Sequence, residues 1–342
     1  MTDTFSEAEE ILAEPAPDDE LLTKDGKRYR LPDPKTGTTR TWQRVTTFNK
    51  AASDTFLIRE WDKRIVAEGV AMSRKLQAQI AAVLSEDLSP AKKKAELQPL
   101  ADEAQRIAGA KDPAEIGTAL HRMRAALDKG RKFAPLEPWD QDLKVYQELL
   151  AREGLTPVPE YVERTIVHRG YQVAGTFDGI VRCPDGKLRM MDLKTGRTLE
   201  YGWGEIEVQC FVYSDSRVIY NKDSKTYEPM PEIEKDYALV IHLPAGAGQA
   251  FSYEVDLQQG KYGADLAKTI WAYRKGRQLP KPRTSVELPP DVSSDHAAFL
   301  VRISKATHRQ ELKDIWQEAE GAGVWNDVLM ATARRKYQEL SN

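Results

Sequence analysis

From about Tyr161 to Thr195 the side chains alternate as they do in strands, and turns at Arg169-Gly170 and Pro184-Asp185-Gly186 divide the stretch. Turn residues between alternating runs specify hairpins. With Asp185 at the centre of the second turn, Asp178 lies directly across from Asp192, and Lys194 across from Thr176. Opposed side chains share a sheet face at roughly 5 Å. Two carboxylates that close, among Gly175, Phe177, Ile180 and Met191, repel unless one is protonated or a cation lies between them. Oxygen-rich clusters of this kind suit Mg²⁺ or Mn²⁺. Lys194 points to the same face as Asp192, where it could orient a water or offset charge on a phosphate. Glu163, on the preceding strand, can reach that face too.

A D-x-K triplet alone carries little weight. Asp25/Lys27, Asp142/Lys144, Asp185/Lys187, Asp223/Lys225 and Glu311/Lys313 share the acid-x-Lys spacing. All fall in turns or expected helices, and none has an acid opposite it on a paired strand.

The rest of the chain sets bounds on the chemistry. Cys183 and Cys210 are its two cysteines, too few for a disulfide framework, a four-cysteine zinc site or an iron–sulfur cluster. No window reaches the roughly 18 apolar residues of a membrane span, and no secretory leader pattern opens the sequence. The expected location is the reducing cytoplasm. Eight of the first twenty residues are acids and none is Lys or Arg, so a net charge of −3 conceals a body at +5. Residues 1–22 therefore read as an acidic, disordered arm.

A helix after Thr46-Thr47 would bury Phe56, Ile58, Trp61 and Ile65. Two or three more fill 66–111. Asp112-Pro113-Ala114-Glu115 is a capping-box start for a helix reaching about Lys129 and stopping at Gly130. On it, Gly117 and His121 lie four apart on one face. Helices are also expected near 140–152, 204–217 and 261–276, the last with Leu266, Ile270 and Tyr273 on one side. Tyr237–Leu243 reads as a buried strand. In the C-terminal piece Thr307 and Gln310 form a second capping box, and Trp316 and Trp325 could staple two helices.

Four motifs in order now stand out: Gly117-Thr-Ala-Leu-His121 on a helix, Gly175-Thr-Phe-Asp178 on a strand, Asp192-Leu-Lys194-Thr195-Gly196 on the next strand, and Gln209-Cys-Phe-Val-Tyr213 on the following helix. Over roughly residues 110–245 the chain resembles RecB-type nucleases of the PD-(D/E)xK superfamily, most of all the phage-encoded RecB-like exonucleases. The resemblance implies that His121, Asp178, Asp192 and the backbone carbonyl of Leu193 bind one or two Mg²⁺ or Mn²⁺ ions. Lys194 would assist the attacking water. Gln209 and Tyr213 would position DNA and the site, and an upstream acid, Glu163 ahead of Glu160, would contribute. The chain departs from branches whose four cysteines hold an iron–sulfur cluster, and it has no Walker loop.

The fold so implied is α/β: a restriction-endonuclease-like core with a central mixed sheet flanked by helices. Its expected divisions are the arm 1–22, strands and helices at 23–111, the core 112–279, a Pro-rich linker 280–293 and a helical appendage 294–342. The implied activity is metal-dependent hydrolysis of DNA, as an exonuclease in phage recombination or degradation. A structure-specific or nicking endonuclease and a catalytically silent DNA-binding or assembly protein are the alternatives. DNA is the expected partner, with a homo-oligomer or a recombination or annealing protein as further ones and no membrane. Arg122, Arg124, Lys129, Arg131, Lys132 and Lys92–Lys94 are the candidate basic surface.

Overall fold

A computed structural model describes residues 4–16, 18–109, 112–278, 280, 283 and 294–340. The chain divides into two compact units, 1–277 and 278–342. In chain order the first contains α1 (Thr4–Ala13), β1 (Arg28–Pro32), β2 (Thr39–Arg44), α2 (Val45–Phe48), α3 (Phe56–Met72), α4 (Arg74–Ser85), α5 (Pro90–Ile107), α6 (Asp112–Asp128) and α7 (Asp140–Glu153). Then come β3 (Thr156–Pro157), β4 (Arg164–His168), β5 (Val173–Phe177), β6 (Gly179–Arg182), β7 (Leu188–Lys194), α8 (Trp203–Ser214), β8 (Val218–Asn221), β9 (Thr226–Pro229), β10 (Tyr237–His242), β11 (Phe251–Asp256) and α9 (Leu257–Gly276). The second unit is α10 (Ser294–Lys305), α11 (Arg309–Gly321) and α12 (Asp327–Glu339).

The architecture is α/β with mixed sheets, but there are two sheets where one was expected. The first runs β1-β2-β5-β4-β8-β9 and the second β11-β10-β7-β6-β3. β5 pairs with β4, Thr176 facing Thr165, while β6 pairs with β7, Gly179 facing Met191. Only Asp178 separates the two strands, so the chain changes sheet at that residue. The hairpin register centred on Asp185 therefore holds from Gly179 outward. Thr176, expected opposite Lys194, belongs to the other sheet, and Lys194 instead neighbours His242 on the parallel strand β10. The strands at 28–44 are part of the first sheet, through a parallel pairing of Gln43 with Val173, and not a separate elaboration.

Both faces of the second sheet are covered, which suits the nearly continuous apolar run of β10. Val181, Met191, Leu193, Leu239 and Ile241 pack with Leu120, Met123 and Tyr146 of α6 and α7. On the opposite face Ile180, Met190 and Val240 pack with Val208 and Val212 of α8. Strand alternation thus places Asp192 and Lys194 on the α8 side. α8 and α9 approach closely because residue 260 is Gly: a Cβ there would lie 2.3 Å from the Glu207 carbonyl oxygen. The buried side of α9 accordingly consists of Leu257, Gly260, Ala264 and Ala267, while Leu266 and Tyr273 are exposed.

Several local expectations are corrected. Residues 4–13 are helical, not disordered: Ala8 and Ile11 are buried, and Ile11 packs with Leu120 and Met123. Phe56, Ile58 and Trp61 are exposed, because α3 packs against α5 through its other end, where Gly69 meets the backbone of Ala104. In the second unit the α11 cap is one residue later than expected, with the Glu311 carboxylate accepting from the amides of Thr307 (2.7 Å) and His308 (3.4 Å). Trp325 packs on the small core of Ile303, Leu312, Ile315 and Leu329, but Trp316 is exposed, so no Trp–Trp staple forms. The side chains of 112–115 and most of the Pro-rich stretch 280–293 lie outside the described residues.

Candidate metal centre

His121, Glu163 and Asp178 come together from three elements, each offering a ligand atom within 4.8 Å of the others. His121 is presented by α6, with Nδ1 3.6 Å from Asp178 Oδ1. The helix lies close to the second sheet because residue 117 is Gly: a Cβ there would come within 2.5 Å of Thr195 Oγ1. Glu163 precedes β4 with φ +55°, a left-handed conformation uncommon for non-glycine residues. That conformation lets its amide donate to the Asp178 carbonyl at 3.2 Å. Asp178 stands at the joint between the sheets, and its Oδ2 accepts from the Leu193 amide at 2.6 Å.

Asp192, Lys194 and Gln209 form a second group alongside. Lys194 Nζ lies 2.5 Å from Asp192 Oδ2. Gln209 Nε2 donates to Asp192 Oδ1 at 3.0 Å, and Gln209 Oε1 accepts from Lys194 at 3.2 Å. Asp192 Oδ2 is buried and takes no hydrogen bond beyond its ion pair. Tyr213, one turn further along α8, is buried. It packs on Gly175, where a Cβ would lie 2.8 Å from its Oη. The glycine of one motif is thus the space occupied by the tyrosine of another. Glu160, the weaker acid candidate, is exposed on the short turn before Glu163.

Beneath the first group lies a residue expected at the surface. Arg124 is fully buried. It pairs with Asp128 (3.0 Å) and Glu163 (3.2 Å), lies 3.8 Å from the Asp178 carboxylate, and donates to the Asp178 carbonyl at 3.0 Å. Tyr146 donates to both oxygens of Asp128. The available signal was helical: Gly117, His121, Arg124 and Asp128 share one face of α6. Arg122 and Arg131 are also engaged, by the Leu12 carbonyl and the Glu14 carboxylate of the N-terminal segment. Of the candidate basic residues Lys92, Lys94, Lys129 and Lys132 are exposed. A cleft opens beside Glu163, lined by Lys129, Arg164, Asn221 and Lys222 among others.

The electrostatics separate the acids. Burial, reinforced by Asp178, raises the Glu163 carboxyl to about 7 against the help of Arg124. Burial would raise Asp178 as well, but His121, Arg124 and Lys194 hold it well below the usual carboxylate range. Burial raises Asp192 despite Lys194. Burial would lower Lys194, yet Asp192 and Asp178 outweigh it and keep the ammonium protonated. One imidazole and two adjacent carboxylates are a donor set that hard or borderline divalent ions accept. Cys183 and Cys210 are both buried and free. Among the described residues no helix is long and apolar enough to cross a membrane.

No protein-family model matches this chain, and no curated protein matches it.

Proposed function

We propose that the protein is a metal-dependent deoxyribonuclease of the RecB type within the PD-(D/E)xK superfamily, acting from DNA ends in phage recombination or DNA degradation in the host cytoplasm. The observation that carries this reading is the meeting of His121, Glu163 and Asp178 beside the Lys194–Asp192 pair. His121, Glu163 and Asp178 fit Mg²⁺ or Mn²⁺, and Asp192 Oδ2 together with the Leu193 carbonyl would complete the set. When bound, such an ion polarises the phosphate and lowers the pKa of a water.

The chain's own residues do the remainder. Asp192 and Gln209 fix Lys194, which would assist the attacking water and offset charge on the phosphate oxygens. Arg124 holds the Asp178 backbone in place from below. Lys129, Arg164 and Lys222 would line the path of the phosphate backbone. In the reaction, water oxygen bonds to phosphorus as one ester P–O bond breaks; the departing oxygen takes up a proton and the attacking water gives one up.

The test uses linear duplex, linear single-stranded and closed circular DNA, each with Mg²⁺, Mn²⁺ or EDTA, with wild type beside Lys194→Ala. Metal-dependent loss of linear DNA with circles intact is expected, and Lys194→Ala should lose about 10²–10³-fold in rate. Cut circles would make it an endonuclease, and binding without cleavage in every lane would overturn the enzymatic reading.

A further inference from the structure

Lys194 is the last residue of β7, and the turn that follows it is held by β10. In the parallel register Val240 neighbours Asp192 and His242 neighbours Lys194. Such neighbours point to one face of a sheet, so His242 stands beside Lys194 on the side that Gln209 approaches. It is 6% exposed. It belongs neither to the His121 cluster nor to the four motifs of the sequence. His242 Nε2 lies 2.7 Å from the Gly196 carbonyl oxygen. A carbonyl only accepts, so Nε2 carries the hydrogen and donates it. The chain beyond His242 continues the contact: the Leu243 amide donates to the Lys194 carbonyl at 2.8 Å, and the Ala245 amide to the Thr195 carbonyl at 3.2 Å. The carbonyls of Lys194, Thr195 and Gly196 are thus all held by residues 242–245. Two of these bonds are backbone bonds, and the third depends on the imidazole.

The holding segment is itself anchored. Asp142, buried in the first turn of α7, accepts from the amides of Gly246 at 2.6 Å and Gly248 at 2.9 Å. Both glycines are left-handed, with φ +78° and +60°. The loop after His242 is therefore fixed to a helix and cannot simply follow the turn that it holds. Phe251, opposite His242 on β11, packs against the imidazole with ring centroids 5.9 Å apart. A ring packed by one neighbour and bonded at Nε2 has a set orientation, which a residue that orients another group needs. The accuracy matters, because misplacing a reacting group by about 1 Å can cost about 10²-fold in rate.

We infer that His242 is a positioning residue for Lys194, fixing the end of β7 through the Gly196 carbonyl. The reaction that it serves rests on the nuclease reading above, so the clamp is also measured without cleavage. His242→Gln keeps an N–H at the place of Nε2, whereas His242→Asn puts its N–H near the place of Nδ1, short of the Gly196 carbonyl. With linear DNA in Mg²⁺, His242→Asn should lower kcat about 10–100-fold and change KM by less than about threefold. His242→Gln should keep kcat within about threefold of wild type. In metal-free protein, hydrogen exchange should quicken at the Leu243 and Ala245 amides in His242→Asn alone, with the rest of the second sheet as protected as in wild type. An unchanged kcat in His242→Asn overturns the inference. So does an equal loss in both variants, which would make the ring and not its donor the part that matters. Exchange that quickens throughout the second sheet also overturns it, leaving His242 a packing residue. A wild type that cleaves no DNA, with exchange quickened only at Leu243 and Ala245, would overturn the nuclease reading and leave the clamp standing.

Discussion

Arg124 grips Asp178 at two points, donating to its carbonyl at 3.0 Å while lying 3.8 Å from its carboxylate. The fully buried guanidinium also faces Asp128 and Glu163. Three acids therefore depend on one cation. Arg124→Leu should cost about 3–5 kcal/mol, because it leaves buried carboxylates without compensation. Calorimetry would show a markedly lower Tm. An unchanged Tm would mean that the three acids find other partners.

Gly175 and Tyr213 should be energetically coupled. A Cβ at 175 would lie 2.8 Å from Tyr213 Oη and 2.9 Å from both Tyr213 Cε1 and Val45 Cγ2. Gly175→Ala should cost about 1–3 kcal/mol through overpacking. Combined with Tyr213→Leu, the two costs should sum to less than their separate values in urea unfolding. Strict additivity would count against the packing relationship.

Gln209 touches both Asp192 and Lys194 without belonging to the His121 cluster. Gln209→Leu should therefore spare the fold and slow cleavage roughly 10–100-fold, as losing an orienting partner does. Full activity in a DNA digestion series would remove Gln209 from the machinery.

The Glu163 carboxyl, raised by burial and by Asp178 to about 7 from an ordinary 4.5, makes the metal-free protein pH-sensitive. Between those values the native state holds a proton that the unfolded chain releases, so stability falls as pH rises through this window. Glu163→Gln should flatten that slope in denaturant midpoints taken from pH 4.5 to 7. The same proton competes with a cation, so Mn²⁺ affinity by calorimetry should rise as pH climbs towards and past 7. A slope unchanged by Glu163→Gln would reassign the titration to another group.

Much of the candidate site was legible because hairpin chemistry is local. Asp185 and Gly186 define a turn, with the Asp185 carboxylate accepting from the Lys187 amide, and the register from Gly179 to Leu188 follows from it. The change of sheet at Asp178 was not legible, because alternation continues unbroken through Phe177 and Gly179 whichever neighbour each strand pairs with. Arg124 was misplaced because a cation on an amphipathic helix reads as solvated unless its buried acids are seen together. The exposed rings of α3 were misassigned by a rule that apolar spacing implies burial, a rule that fails where the helix has no neighbour. The N-terminal helix was hidden by its acids, although Ile11 and Leu12 supply its apolar contact and Glu14 pairs with Arg131.

The joint at Asp178 also bears on when the constellation is assembled. Glu163 leads into a strand of one sheet, Asp192 and Lys194 lie in the other, and Asp178 belongs fully to neither. A nascent or nicked chain that has formed only one sheet lacks part of the constellation. Completion of both sheets is therefore the step that assembles the whole constellation.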